Sequence, residues 1–176
     1  MMAASILAAP IRAYVALGAN LGDPLHTVRQ AIDALRGMDG ASLVAVSSLY
    51  RTAPVGLRHQ PDFINAVAAL DVDAAVLPRL TFLSTLFAIE ARFGRLRSVR
   101  NAPRTLDLDL LLYGAELGDD PVCTLPHPRM HLRAFVLAPL AEIAPGLVVP
   151  GRGTVAQLLA ACADQRIERL EAACAA

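Results

Sequence analysis

Pro103-Arg104-Thr105-Leu106-Asp107-Leu108-Asp109-Leu110-Leu111-Leu112-Tyr113 is the stretch on which the fold turns. Leu106, Leu108 and Leu110 alternate with Asp107 and Asp109, the period-two pattern of a β-strand. Positions two apart on a strand share a face, so the leucines are expected in the core and both carboxylates on the opposite side. At about 3.3 Å of rise per residue, the two aspartate Cβ atoms stand roughly 7 Å apart. That spacing suits a shared hard cation, or a pair of cations about 4 Å apart of the kind used in phosphoryl chemistry. An exposed sheet face with solvated acids is the plain alternative, although like charges side by side on a strand repel.

The residues running into this strand favour the first reading. Arg92, Arg95, Arg97, Arg100 and Arg104 load the approach with guanidinium groups, which fit phosphate oxygens bidentately. Acids that hold Mg²⁺ beside an arginine cluster suit a polyphosphate, because Mg²⁺ prefers a few carboxylates plus phosphate oxygens. The rivals are a solvated basic loop and a nucleic-acid surface. Sixteen basic against sixteen acidic residues leave the chain neutral, so the arginines are a local feature and no general nucleic-acid footprint exists.

A length of 176 residues fits one domain with a substantial core. Although 55% of residues are hydrophobic, no apolar run reaches the roughly 20 residues that span a bilayer. Met1 to Ala9 lacks a basic start and is cut short by Pro10 and Arg12, so it is expected to be an extension and not a secretory signal. Cys123, Cys162 and Cys174 form no Cys-x-x-Cys pair, which fits a reducing, cytoplasmic setting. The expected organisation is a flexible extension over 1–12, one domain over 13–170 and a frayed tail over 171–176.

Upstream, Tyr14–Leu17 reads as a strand ending in the turn Gly18-Ala-Asn-Leu-Gly22. Asp23 is a helix N-cap with Pro24 behind it, Leu25, Val28, Ile32 and Leu35 form the apolar stripe, and Gly37 stops the helix. The turn's glycines match neither common phosphate-loop pattern, which makes a tight strand-to-helix turn the simpler reading. Ser42–Tyr50 is expected as one strand and Phe63–Val72 as another, with a Pro/Gly-containing loop between them. Phe63 and Asn65 share a strand face beside that loop, as an aromatic and an amide that read a flat heterocycle would, or as an ordinary core Phe and turn Asn. A helix is expected over Leu77–Phe93, another from about Arg129 to Ile143, a short strand over Leu147–Val149, and a last helix capped by Thr154.

The order strand-helix-strand-strand-helix-strand up to Tyr113 is that of a ferredoxin-like βαββαβ α+β fold. With the additional C-terminal helices on the other sheet face it makes a three-layer α/β/α sandwich. In this reading the first and last strands are central, and the Asp-x-Asp strand is supported on both sides.

Several stretches, in order, resemble the 6-hydroxymethyl-7,8-dihydropterin pyrophosphokinase family of folate biosynthesis. They are Leu17-Gly-Ala-Asn-Leu-Gly22, Ser47-Ser-Leu-Tyr-Arg-Thr52, Gln60-Pro-Asp-Phe-Ile-Asn65, Pro103 to Asp109, Pro126-His127 and Arg133-Ala-Phe135. The resemblance implies transfer of pyrophosphate from ATP to the pterin hydroxymethyl group with release of AMP; a monomer is expected, and the charge balance and hydropathy above give no expectation of a nucleic-acid or membrane partner. It implies that Asp107 and Asp109 hold two Mg²⁺ ions and that Arg95 and Arg104 are catalytic. It places Thr52, Val55, Phe63, Asn65 and Phe135 around the pterin, and Arg97, Leu110, Thr124, His127 and Arg133 around ATP. Asn101, Val122, Pro128 and Phe87 depart from family positions held by Trp, Arg, Tyr and Gln, which bears on ATP affinity and loop closure. The remaining rivals are a non-catalytic ferredoxin-like ligand-binding module and another Asp-x-Asp metal-dependent phosphotransferase.

Overall fold

A computed structural model describes residues 9–54, 59–94 and 104–172. Strand β1 (Ile11–Ala19) leads to helix α1 (Pro24–Arg36), then β2 (Ala41–Val46), β3 (Ser48–Thr52) and β4 (Phe63–Val72). Helix α2 (Arg79–Arg92) precedes β5 (Asp107–Tyr113), the Asp-x-Asp strand. A 3-10 turn (Met130–Leu132), α3 (Ala134–Ile143), the short strands β6 (Val148–Val149) and β7 (Gly153–Thr154), α4 (Val155–Ala160) and β8 (Ile167–Ala172) complete the chain.

The main sheet runs β5-β1-β4-β3-β8, with β2 also pairing β4. Alternation decides its two faces. Val15, Leu17, Leu70, Leu106, Leu108 and Leu110 pack with α1 and α2, while Tyr14, Val67 and Leu111 pack with α3 and α4. Helices therefore cover both faces, and the expected α/β/α layering holds. Asp23 caps α1 by accepting the backbone N–H of His26, and Gly37 ends it, as the sequence indicates. No helix among the described residues is long and apolar enough to cross a membrane.

Five expectations need correction. β5 is an edge strand: β1 lies between it and β4, so only one side carries a strand partner. In a split βαβ unit the crossover through α2 sets β5 outside β1, which leaves β1 and β4 as the central strands. The expected Ser42–Tyr50 strand breaks at Ser47, whose hydroxyl accepts the Val67 N–H at 3.0 Å in place of regular pairing. The expected Arg129–Ile143 helix breaks at Arg133, which is extended at φ −128° and ψ 104°. Strand β1 starts at Ile11, inside the expected extension, and Arg12 is tied to Asp71 at 2.6 Å. At the other end β8 runs to Ala172, past the start of the expected tail, and pairs antiparallel with β3.

Candidate active site

The α3 face of the sheet carries a cavity of about 450 Å³ at the ends of β1, β3, β4 and β5. Its floor is Gly18, which stands in register with Asn65 on β4 and Asp107 on β5. A Cβ on Gly18 would sit 3.2 Å from the Asn65 side-chain oxygen, so glycine keeps the floor low between the two walls. Asp107 and Asp109 form one wall, with Thr52, Phe63 and Asn65 on another side and Phe135 from α3 above.

On the β4 side, Asn65 Nδ2 donates to Thr52 Oγ1 at 2.9 Å, with both residues buried. This bond fixes the amide's orientation and leaves its carbonyl oxygen as an acceptor. Gln60, another lining residue, accepts from Asn20 Nδ2 at 3.1 Å. Asn20 is 2% exposed and also donates to the Pro61 carbonyl and accepts the Arg104 N–H. One buried amide therefore joins the segment before β4 to the segment before β5.

On the β5 side, Arg104 forms an ion pair with Asp107. Asp109 lies 3.5 Å from Arg133 Nη1 and 3.7 Å from His127 Nε2. His127 reaches this place because its backbone N–H bonds the Leu111 carbonyl at 2.9 Å. Leu111 is free to offer that carbonyl because the β1–β5 register shifts there, passing from Val15–Leu110 to Tyr14–Leu112. The His127 Nδ1 accepts the Arg129 N–H at 3.2 Å, which puts the imidazole proton on Nε2, facing Asp109. Burial holds the imidazole below its ordinary pKa of 6.5; Asp109 opposes this, and Arg133 and Arg129 reinforce it. His127 is thus a neutral donor near pH 7. Arg133 is likewise lowered by burial and by Arg129, and its guanidinium carbon stacks 5.3 Å from the Phe135 ring centre.

Among the expected site residues, Thr52, Phe63, Asn65, Arg104, Asp107, Asp109, Arg133 and Phe135 converge on the cavity, with His127 beside Asp109. Val55, Arg95 and Arg97 lie outside the described residues, as does Asn101. Leu110 does not join them: its side chain is 5% exposed in the core on the α1/α2 face, so only its backbone is available to a ligand. Thr124 turns its hydroxyl to the Asp120 carbonyl at 3.0 Å and is not among the lining residues. Val122, Pro128 and Phe87 also do not line the cavity.

The sequence reading missed Arg129, Leu132 and Gln165, all of which line the cavity. Gln165 bridges the break before α3, accepting the Ala134 N–H and donating to the Leu132 carbonyl, each at 2.9 Å. No local pattern marks that glutamine, because its partners are distant in sequence. Glu90 was missed too; it is 3% exposed and accepts the Leu108 N–H at 2.7 Å on the open side of β5.

Two same-face carboxylates without a third His, Cys or acidic ligand form no all-protein metal cage among the described residues. Such a hard-oxygen pair fits Mg²⁺ delivered with phosphate oxygens. Together with the guanidiniums and the aromatic, amide-lined recess, it defines a site of the phosphotransferase class.

A profile of the 7,8-dihydro-6-hydroxymethylpterin-pyrophosphokinase family matches residues 14–145. The chain is 49% identical over 162 residues to a 2-amino-4-hydroxy-6-hydroxymethyldihydropteridine pyrophosphokinase of Pseudomonas aeruginosa, covering 92% of this chain and 98% of that one. It is 41% identical over 160 residues to the Haemophilus influenzae protein of the same name, covering 91% and 98%. The fold is similar to that of the Plasmodium falciparum HPPK-DHPS wild type solved with pterin and p-hydroxybenzoate, with a TM-score of 0.66 at 13% identity. That likeness covers 89% of this chain but only 44% of the longer one. The chain belongs to the 7,8-dihydro-6-hydroxymethylpterin-pyrophosphokinase family.

Proposed function

We propose that this chain transfers the pyrophosphoryl group of ATP to the hydroxymethyl group of 6-hydroxymethyl-7,8-dihydropterin, giving AMP and the pterin diphosphate. The observation that carries this is the convergence of Asp107 and Asp109 on the same cavity as Thr52, Phe63, Asn65 and Phe135. A phosphate-binding wall and a heterocycle-binding wall face a common space.

The pterin lies against Phe63 and Phe135, and its polar edge meets Asn65 and Thr52. Asn65 is already oriented by its bond to Thr52, so little order is lost on binding. The hydroxymethyl oxygen forms a bond to the β-phosphorus, the bond from that phosphorus to the α–β bridging oxygen breaks, and the hydroxyl proton is released. AMP leaves with the bridging oxygen. This in-line displacement demands positioning and charge neutralisation more than covalent help. Arg104 and Arg133, released from their carboxylates, turn to phosphate oxygens, and the neutral His127 donates a hydrogen bond from Nε2–H to an oxygen without adding charge. Asp107 and Asp109 would hold two Mg²⁺ ions, which supply charge neutralisation across the phosphates when bound. Arg95 and Arg97 contribute further guanidiniums, Val55 extends the pterin wall, and Leu110 and Thr124 meet the nucleotide through backbone atoms. The enzyme works as a single-domain cytoplasmic monomer; its three cysteines, without a Cys-x-x-Cys pair, suit a reducing compartment.

Product analysis tests this reading. With Mg²⁺, ATP and hydroxymethyldihydropterin, AMP should accumulate in step with pterin diphosphate. ADP in its place would make the protein an ordinary kinase, and pterin-independent phosphate release a phosphatase. Asp107→Ala and Asp109→Ala should each lower AMP formation by at least about a hundred-fold, since each removes charge stabilisation at the reacting phosphates. Both residues are only partly buried, with side chains 16% and 33% exposed, so circular dichroism should stay native. Near-normal rates at saturating Mg²⁺ would refute the roles assigned to them.

A further inference from the structure

Arg129 is a cation in this cavity that no motif above explains. It lines the same space as Arg104, Arg133, Asp107 and Asp109. The two acids are already engaged by other cations: Arg104 pairs with Asp107, and Arg133 lies 3.5 Å from Asp109. The Arg129 guanidinium makes no hydrogen bond or ion pair among the described residues, and its charge acts against the protonated forms of both Arg133 and His127. A half-buried guanidinium without a carboxylate, set beside another of like charge, is a costly arrangement unless an anion joins it.

Its backbone is held firmly. The Arg129 N–H bonds His127 Nδ1, and its carbonyl accepts the Leu132 N–H at 3.2 Å. The next residue, Met130, is fully buried and plugs the turn into the core under α3. The turn thus presents Arg129 and Arg133 from its two ends toward one cavity while paying little entropy on binding.

We propose that Arg129 is a further substrate-binding residue that contacts the polyphosphate of ATP. The inference rests on the pyrophosphokinase reading. With Asp107 and Asp109 committed to Mg²⁺, three guanidiniums face the space left by those acids, and a polyphosphate supplies the oxygens that pair with them. Arg129 is placed there by the turn and not by the Asp-x-Asp segment, which is why the strand's motif does not reveal it.

Calorimetry with α,β-methylene-ATP in the presence of Mg²⁺ tests this on the full chain. Arg129→Ala should weaken binding by roughly ten-fold or more, the scale of one lost charge-assisted hydrogen bond. Arg129→Lys should recover part of the affinity, and adenosine binding should be unaffected by either change. Pterin affinity should stay within about two-fold of the unmutated protein, and Arg129→Gln serves if the alanine variant does not fold. Unchanged analogue affinity in a natively folded variant would overturn the proposal, as would a loss that falls on pterin or adenosine instead. Failure of the unmutated protein to bind the analogue with Mg²⁺ would overturn the pyrophosphokinase reading beneath it, and is distinguished because it precedes any substitution.

Discussion

Thr105 lies between Arg104, which pairs with Asp107, and Leu106, which is fully buried. Its hydroxyl oxygen is buried and has no hydrogen-bond partner among the described residues. An unsatisfied buried hydroxyl costs stability, and an apolar group of the same shape removes that cost. Thr105→Val should therefore leave the protein equally stable or raise its unfolding free energy by up to about 1 kcal/mol, read from urea midpoints. A loss of more than about 1 kcal/mol would show that the hydroxyl does hold something. Asn20 is the contrasting case: its buried amide is engaged on both sides, to Gln60 and Pro61 in one direction and to Arg104 in the other.

As an element, β5 has to hold two like charges in place from the edge of the sheet. β1 supplies the ladder on one side only. The open side is closed by groups from elsewhere: Glu90 of α2 accepts the Leu108 N–H, and the His127 N–H bonds the Leu111 carbonyl. Leu108 sits between the two aspartates, so the Glu90 bond holds the backbone at the centre of the site. Removing that acceptor leaves a buried N–H unmet. Glu90→Ala should cost about 2–4 kcal/mol in urea unfolding, and Glu90→Gln clearly less, because the amide oxygen still accepts. Equal stabilities for all three proteins would dismiss the cap.

Across the whole molecule, α3, β3 and β8 are joined by one carboxylate. Glu142 accepts from the Ser48 N–H, the Ser48 hydroxyl, the Tyr50 hydroxyl at 2.8 Å and Arg169 at 3.0 Å. Burial opposes ionisation of Glu142, but the bonds from Ser48 and Tyr50, with Arg169, outweigh it and hold its pKa below the ordinary 4.5. A depressed folded-state pKa contributes stability above the unfolded value that is lost as pH falls through the folded one. Glu142→Gln should thus flatten the decline of stability below pH 4.5, measured as urea midpoint against pH. Tyr50 has the opposite sign. Burial, then its bond to Glu142, pushes it from 10.0 to about 12, so its contribution is full below pH 10.0 and fades between there and about pH 12. An acid limb identical in Glu142→Gln and the unmutated protein would mean that other carboxylates govern it.

The periodicity of the chain by itself determined which side chains share a face. Leu106, Leu108 and Leu110 go to the α1/α2 core, and Asp107 and Asp109 to the cavity, because a strand's geometry is local. It determined α1 between Asp23 and Gly37 for the same reason, since caps and apolar stripes act within a few residues. Phe63 and Asn65 likewise face the cavity together, as their spacing on β4 requires. Only the tertiary structure decided that β5 is an edge strand, because strand order follows from crossovers and from which distant surfaces are buried together. It also made a strand of Ile167–Ala172, which runs across the expected domain boundary after 170 and forms where β3 offers an unpaired edge. Arg129 and Gln165 reach the cavity through a break in the expected helix at Arg133. That break is held by Gln165 from beyond α4, a contact no local pattern encodes.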